Sequence, residues 1–185
     1  MILDNLIAQK KALPMIIVMP FNGSNYPNLP LAPRGAAGGG ASAFEQYLTK
    51  ELIPYIDSNY RTLTDRKNRA MAGLSAGGGA TFNVGLKHPE LFSQFGFFST
   101  GAISAPDAAS RYPEFASAKA AEGKFDLIWI SYGNQDPNHV GAEAFDAALT
   151  KNGVKHTYVT REGGHVWPVW RWALAKFAPL LFRTN

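Results

Sequence analysis

The chain has 185 residues, of which 46% are apolar and only 17% charged, enough apolar surface for a real core. That composition excludes a disordered segment, and with no cysteine there is no disulfide framework, thiol nucleophile or thiolate zinc site. Eighteen Lys and Arg against fourteen Asp and Glu leave a charge of +4, but the basic residues are scattered rather than gathered in the stripe that phosphate binding wants, so no nucleic-acid partner is expected.

The opening residues Met1-Ile-Leu-Asp-Asn-Leu-Ile lack a basic region and a long apolar run. No signal peptide and no membrane span are therefore expected in this chain, which reads as soluble with its location open. Residues 2–11 carry a helical pattern, followed by the apolar, partly β-branched run Met15-Ile-Ile-Val-Met19, which predicts a first buried parallel strand. Residues 21–42 are rich in Pro, Asn and Gly, and a loop of that length in a compact domain is usually functional. Because it leaves the carboxyl end of the first strand, it is expected over the active-site face. A helix is predicted over 44–59, with Phe44, Tyr47, Leu48, Leu52, Tyr55 and Ile56 on one face and a kink at Pro54.

Further strands are predicted at 69–73, 95–98, 127–132 and 156–160, and further helices at 76–87, 140–151 and about 167–182. The last helix has Trp170, Leu174, Phe177 and Leu181 as its apolar stripe. No repeat and no linker divides the chain, so residues 1–185 read as one domain. The alternation predicts an α/β fold, a mostly parallel sheet with helices on both faces and ligands at the carboxyl ends of the strands.

The strand at 69–73 runs into Gly73-Leu-Ser75-Ala-Gly77-Gly-Gly79 and then a helix, a GxSxG sequence in the strand-turn-helix setting of a nucleophile elbow. Gly73 and Gly77 are expected to remove side chains that would collide with the neighbouring strand and helix. Ser75 is the candidate nucleophile at the amino end of a helix, and the Ala76 N–H is the expected first oxyanion donor. Phosphate binding is disfavoured, since no GxGxxG and no Lys-Ser/Thr follows the glycines.

A serine alkoxide does not form unaided, so Ser75 needs a base and the base an orienting acid. His88 stands at a helix end, His156 begins a strand, and His139 follows Asp136-Pro-Asn as a turn feature or half of a metal site. His165, in Glu162-Gly-Gly-His165-Val-Trp167 after the last strand, is the candidate base. The order nucleophile, acid, base then selects Asp136, at the end of the preceding strand, over Asp126 before that strand and Asp146 inside a helix. No cofactor and no metal is called for.

These residues resemble the α/β-hydrolase esterases of the feruloyl and acetyl-xylan esterase type, in the larger esterase group that includes esterase D-like and mycolyltransferase proteins. The resemblance runs over nearly the whole chain, and its specific motifs are Arg69-Ala-Met-Ala-Gly-Leu-Ser-Ala-Gly-Gly78 and Gly163-Gly-His165-x-Trp-Pro168-x-Trp170. It implies the same triad, and acyl transfer from an ester to Ser75 followed by hydrolysis. The substrates it implies are hydroxycinnamoyl, acetyl or short-chain esters, often carbohydrate-linked, in a family whose members are often secreted. Phe21, Asn22, Tyr26, Leu74 and Trp167 are candidate pocket residues, the aromatic ones suited to stacking on a planar acyl group.

The chain departs from the family pattern at its amino end. Family members open with three further strands, the third ending in a His-Gly loop that supplies the second oxyanion N–H, and no counterpart is found here. One of those strands would lie between 15–19 and 69–73. Three outcomes are open: the first strand moves into the vacant place, another chain supplies the missing elements, as in a homo-oligomer covering the edge, or the edge stays exposed. Besides a serine carboxylesterase, the sequence thus admits a non-catalytic remnant that binds ester-bearing carbohydrate or a protein partner, and an acyltransferase using the same triad.

Overall fold

The computed structural model describes residues 1–20, 39–101 and 105–183, without the side chains of 39–42 and 105–107. Two compact units are distinguished: residues 1–16 with 66–185, and residues 17–65.

The larger unit is built on four parallel strands in the order of the chain: β1 (Ala70–Leu74), β2 (Gln94–Phe98), β3 (Leu127–Gly133) and β4 (Thr157–Arg161). Four of the five predicted strands therefore form within about a residue of their expected limits. The fifth does not: residues 14–20 carry no strand, and Ile16 and Met19 are 52% and 88% exposed. Among the described residues β1 has a hydrogen-bonded neighbour on one side only, and Ala72 at its middle is exposed. The apolar run at 15–19 has strand composition, but a strand is stable only when its backbone finds a partner.

The inner strands are dictated by packing on both faces. Every residue of β2 is buried, as the near-continuous apolar run of a covered parallel strand requires. On one face α4 (Ala76–Asn83), α5 (Ala105–Arg111) and α7 (His139–Lys151) contribute to an aromatic cluster in which Phe82 meets Phe97, Tyr112 and Phe145 edge to face, with ring centroids 5.3–6.1 Å apart. Such pairs add to the burial of the rings themselves. Phe115, on a 3-10 turn at Pro113–Ala116, closes this cluster against Phe125 and Phe145. The short helices α5 and α6 (Ala118–Ala121) have too few residues to show a helical period, so the sequence pattern passes over them.

The opposite face carries α1 (Ile2–Ala8) and α8 (Trp167–Phe177), so helices lie on both faces of the sheet. The sheet-facing stripe of α8 is Val169, Ala173 and Phe177, with Trp170 and Leu174 half-buried at its sides, a rotation from the predicted stripe. Phe177, common to both stripes, lies over Gly96 in β2: a Cβ there would lie 2.9 Å from Phe177 Cζ and 2.9 Å from Ala72 Cβ. Its missing side chain lets the Phe177 ring rest on the sheet, beside Phe98, Trp129 and Leu181.

In the smaller unit the predicted helix over 44–59 is a continuous helical stretch in three parts. These are α2 (Gly39–Gln46), a π-helical turn at Tyr47–Leu52 and α3 (Ile53–Asn59). Pro54 has no N–H and its ring presses on the carbonyl four residues back, so the preceding turn widens into π geometry instead of breaking. Phe44 and Leu48 are buried while Tyr55 is exposed, so only the first half of the expected apolar face is covered.

Candidate active site

Ser75, Asp136 and His165 follow the carboxyl ends of the parallel strands, where helix amides and loop side chains converge and the ladder no longer claims them. Ser75 follows β1 with φ 51° and ψ −116° and caps the amino end of α4. Such a backbone is sparsely populated for a side chain other than glycine, and it holds only where the surroundings over-determine it. They do so here: the Ser75 N–H donates to Phe98 O at 2.9 Å, and Ser75 O accepts from the Gly79 N–H at 3.0 Å.

The glycines of the elbow divide the work differently from the GxSxG expectation. A Cβ on Gly73 would overlap the Gly77 carbonyl, so the glycine before the serine is required as expected. A Cβ on Gly77 meets nothing within 4 Å among the described residues, whereas one on Gly78 would overlap the Thr100 side chain. It is thus Gly78, outside the pattern, that lets α4 close on the end of β2. Ala76 opens α4, so its N–H is one of the first-turn amides that have no acceptor within a helix.

Asp136 is fully buried just beyond β3, and its Oδ2 lies 2.9 Å from His165 Nδ1. The loop after β4 can reach it because Gly133 has no Cβ, which would overlap Gly163 O, and because Gly163 adopts φ +133°. Three bonds tie the two loops together: Gln135 N–H to Gly163 O at 2.9 Å, Asn134 N–H to Arg161 O at 2.8 Å, and Gly163 N–H to Asn134 Oδ1 at 3.2 Å. His165 is 31% exposed, so its ring bridges the buried acid and solvent.

Burial alone would push the Asp136 carboxyl up. Hydrogen bonds from the Ser99 hydroxyl, from the Asn138 N–H at 2.9 Å and from His165 outweigh it and hold the group below the usual carboxylate range. Asp136 is therefore an anion prepared to orient a histidine. Ser99 was not visible as a functional residue in the sequence, since a lone serine after a strand carries no motif. Trp170 donates its indole N–H to Ser99 Oγ at 2.9 Å and sets its ring edge-on to His165, centroids 4.9 Å apart.

The other histidines are occupied locally. His88 Nδ1 pairs with Glu90 at 2.7 Å, and His139 Nδ1 lies 2.6 Å from the Asp136 backbone carbonyl. His156 sits between Val154 O and Asp146 Oδ1, 2.7 Å from each. His139 thus takes part in the turn after β3, and no group of three metal-ligating side chains occurs among the described residues. Nearby Tyr132 is buried, which raises its phenol well above the ordinary range, and donates to Thr100 O.

Of the candidate pocket residues, Trp167 is 66% exposed and packs edge-on to Trp170, centroids 5.2 Å apart. Leu74 packs on the core cluster beneath α8. Phe21, Asn22 and Tyr26, like most of the Gly-rich loop after them, lie outside the described residues. No helix among the described residues is long and apolar enough to cross a membrane.

Comparison with known proteins bears on the family and the fold. The profile of the family described as "Putative esterase" matches residues 2–181. An endo-1,4-beta-xylanase/feruloyl esterase of Xylanibacter ruminicola is 36% identical over 185 residues, 99% of this chain and 23% of that protein. The chain thus spans about a quarter of the curated relative it matches. A ferulic acid esterase structure superimposes with a TM-score of 0.78 at 28% identity, covering 98% of this chain and 75% of that one. A ferulic acid esterase of Anaeromyces mucronatus, solved with ferulic acid, gives a TM-score of 0.74 at 21% identity over 96% of this chain and 69% of its own. The fold is that of the α/β-hydrolase-type esterases.

Proposed function

Since the chain belongs to this esterase family, we propose that it is a serine carboxylester hydrolase working through an acyl-enzyme on Ser75. The observation that carries the reading is the His165 Nδ1 to Asp136 Oδ2 contact at 2.9 Å, in loops that follow β4 and β3, with Ser75 on a strained turn after β1.

The chemistry follows from that geometry. Asp136 holds Nδ1, which fixes the tautomer and leaves Nε2 as the basic nitrogen. Ser75 Oγ attacks the ester carbonyl carbon and passes its proton to His165 Nε2. The carbonyl oxygen becomes an oxyanion that accepts from the Ala76 N–H at the positive end of α4. Collapse expels the alcohol, which takes the proton from His165. Water then repeats the sequence on the acyl-enzyme, delivering its proton to His165 and releasing the acid and free Ser75. The substrate class is an acetyl, short-chain or hydroxycinnamoyl ester, often carbohydrate-linked. Exposed Trp167, backed by Trp170, is a flat apolar surface suited to a planar acyl group.

A fluorophosphonate probe tests the reading: it labels the wild-type protein, and the label disappears in Ser75→Ala. An unlabelled wild type overturns it. One observation favours a second reading, a non-catalytic module that binds such esters: β1 stands at the sheet edge among the described residues, beside the place where the family's second oxyanion donor arises. Turnover of p-nitrophenyl acetate that depends on Ser75 excludes that module.

A further inference from the structure

Ser99 occupies an unusual place for a residue with no chemistry assigned to it. It follows β2, is fully buried, and adopts φ +49° in the left-handed region, where glycine or asparagine is the ordinary choice. A buried serine in that conformation is kept for its hydroxyl or for nothing local. The hydroxyl has two partners whose polarity can be worked out. The indole of Trp170 is a donor only, so Ser99 Oγ must accept from Nε1 at 2.9 Å. That leaves the single hydroxyl proton for the neighbouring Asp136 carboxylate, whose negative charge the Ser99 side chain favours.

The main chain of the same residue reaches the other half of the site. The Ser99 N–H donates to Ser131 O in β3 at 2.9 Å, and the carbonyl of the residue before it, Phe98, receives the Ser75 N–H at 2.9 Å. One dipeptide therefore fixes the turn of the nucleophile through its backbone and the acid through its side chain.

We propose that Trp170 and Ser99 form a donor relay, indole N–H to hydroxyl to carboxylate, that positions Asp136 and through it His165. Both are positioning residues: Ser99 is buried away from substrate, and Trp170 acts through Ser99 and through its ring edge against His165. The proposal rests on the esterase reading, and it assigns the Trp at the end of the Gly-Gly-His-x-Trp-Pro-x-Trp motif a role in orienting the acid rather than in packing alone.

The test uses the whole chain with p-nitrophenyl acetate as substrate, Ser75→Ala as control, and the variants Ser99→Ala, Trp170→Phe and the double variant. Trp170→Phe keeps an aromatic ring on the His165 side and removes the indole donor. A hydrogen bond to a charged group is worth about a factor of ten. Each single variant is therefore expected to lower kcat about tenfold with KM within about twofold. The acid limb of the kcat/KM profile should move to higher pH, because an imidazolium then faces a carboxylate with one donor fewer. The other titratable groups at Asp136, His139 on its backbone carbonyl and Tyr132 in β3, are untouched by either change. The double variant should lose no more than about the larger single loss, since one chain of bonds is broken twice.

Unchanged kcat in both single variants, losses that multiply in the double variant, or a fall in activity that tracks melting temperature with no movement of the acid limb each overturns the relay. Wild-type activity that survives Ser75→Ala overturns the esterase reading instead, so the two failures are told apart.

Discussion

The two ends of the sheet are built to different standards. At the β3 and β4 end, Asp136 receives donors from Ser99, Asn138 and His165, and Gly133 and Gly163 let two loops touch backbone to backbone. At the β1 end, Ser75 is anchored by single bonds to Phe98 and Gly79, and the strand beneath it has one hydrogen-bonded neighbour among the described residues. The difference teaches that the proposed acid-base pair is assembled by short loops between adjacent strands, whereas the proposed nucleophile, on a strand with one neighbour among the described residues, depends on whatever lies on its other side.

The sharpest way to break the comparison is at the nucleophile. Ser75→Ala is expected to lower kcat about 10⁴-fold or more, measured on p-nitrophenyl acetate, whatever the state of the other end. Next comes Asp136→Asn, expected to cost about 10²–10⁴ in kcat because the amide favours the wrong histidine tautomer while the fold is kept. If Asp136→Asn costs less than tenfold, the well-wired end is structural and the contrast disappears.

Stability effects are smaller. Gly78→Ala drives a methyl into Thr100 and is expected to cost about 1–3 kcal/mol in urea unfolding, a loss that Gly77→Ala does not share. Asp136 adds a pH term with a definite sign. Its carboxyl is held below the ordinary value of about 3.9, so the native state binds that proton less readily than the unfolded chain. The stability it contributes is complete above about pH 4 and is lost as pH falls through the lower native value. Melting curves between pH 2 and 6 should show this loss in the wild type and a flatter profile in Asp136→Asn. The smallest effect is expected in the run after α1: Ile16→Ser, at a side chain already 52% exposed, should change stability by no more than about 0.5 kcal/mol. A larger loss would mean that the run at 14–20 is covered in solution.

Much of this was legible in the residues themselves. Short apolar runs located β1 to β4 and period-3.6 patterns the long helices, because burial on both faces of a sheet or along one side of a helix leaves its mark in the residue pattern. Ser75, Asp136 and His165 could be named from chain order and strand ends, and the structure brings Asp136 and His165 together. The roles of Gly78, Ser99 and Gly96 were not legible, since each depends on a contact between segments distant in sequence: Gly78 with Thr100, Ser99 with Trp170, Gly96 with Phe177.

The sequence by itself determined which segments are strands or helices in the parallel sheet and which loops carry reactive groups, since local periodicity and glycine placement are enough for both. It also marked residues 15–19 as strand-like. Only the tertiary structure decided that this run carries no strand and that, among the described residues, the sheet begins at Ala70. A strand is a property of two backbones, and apolar composition supplies just one of them.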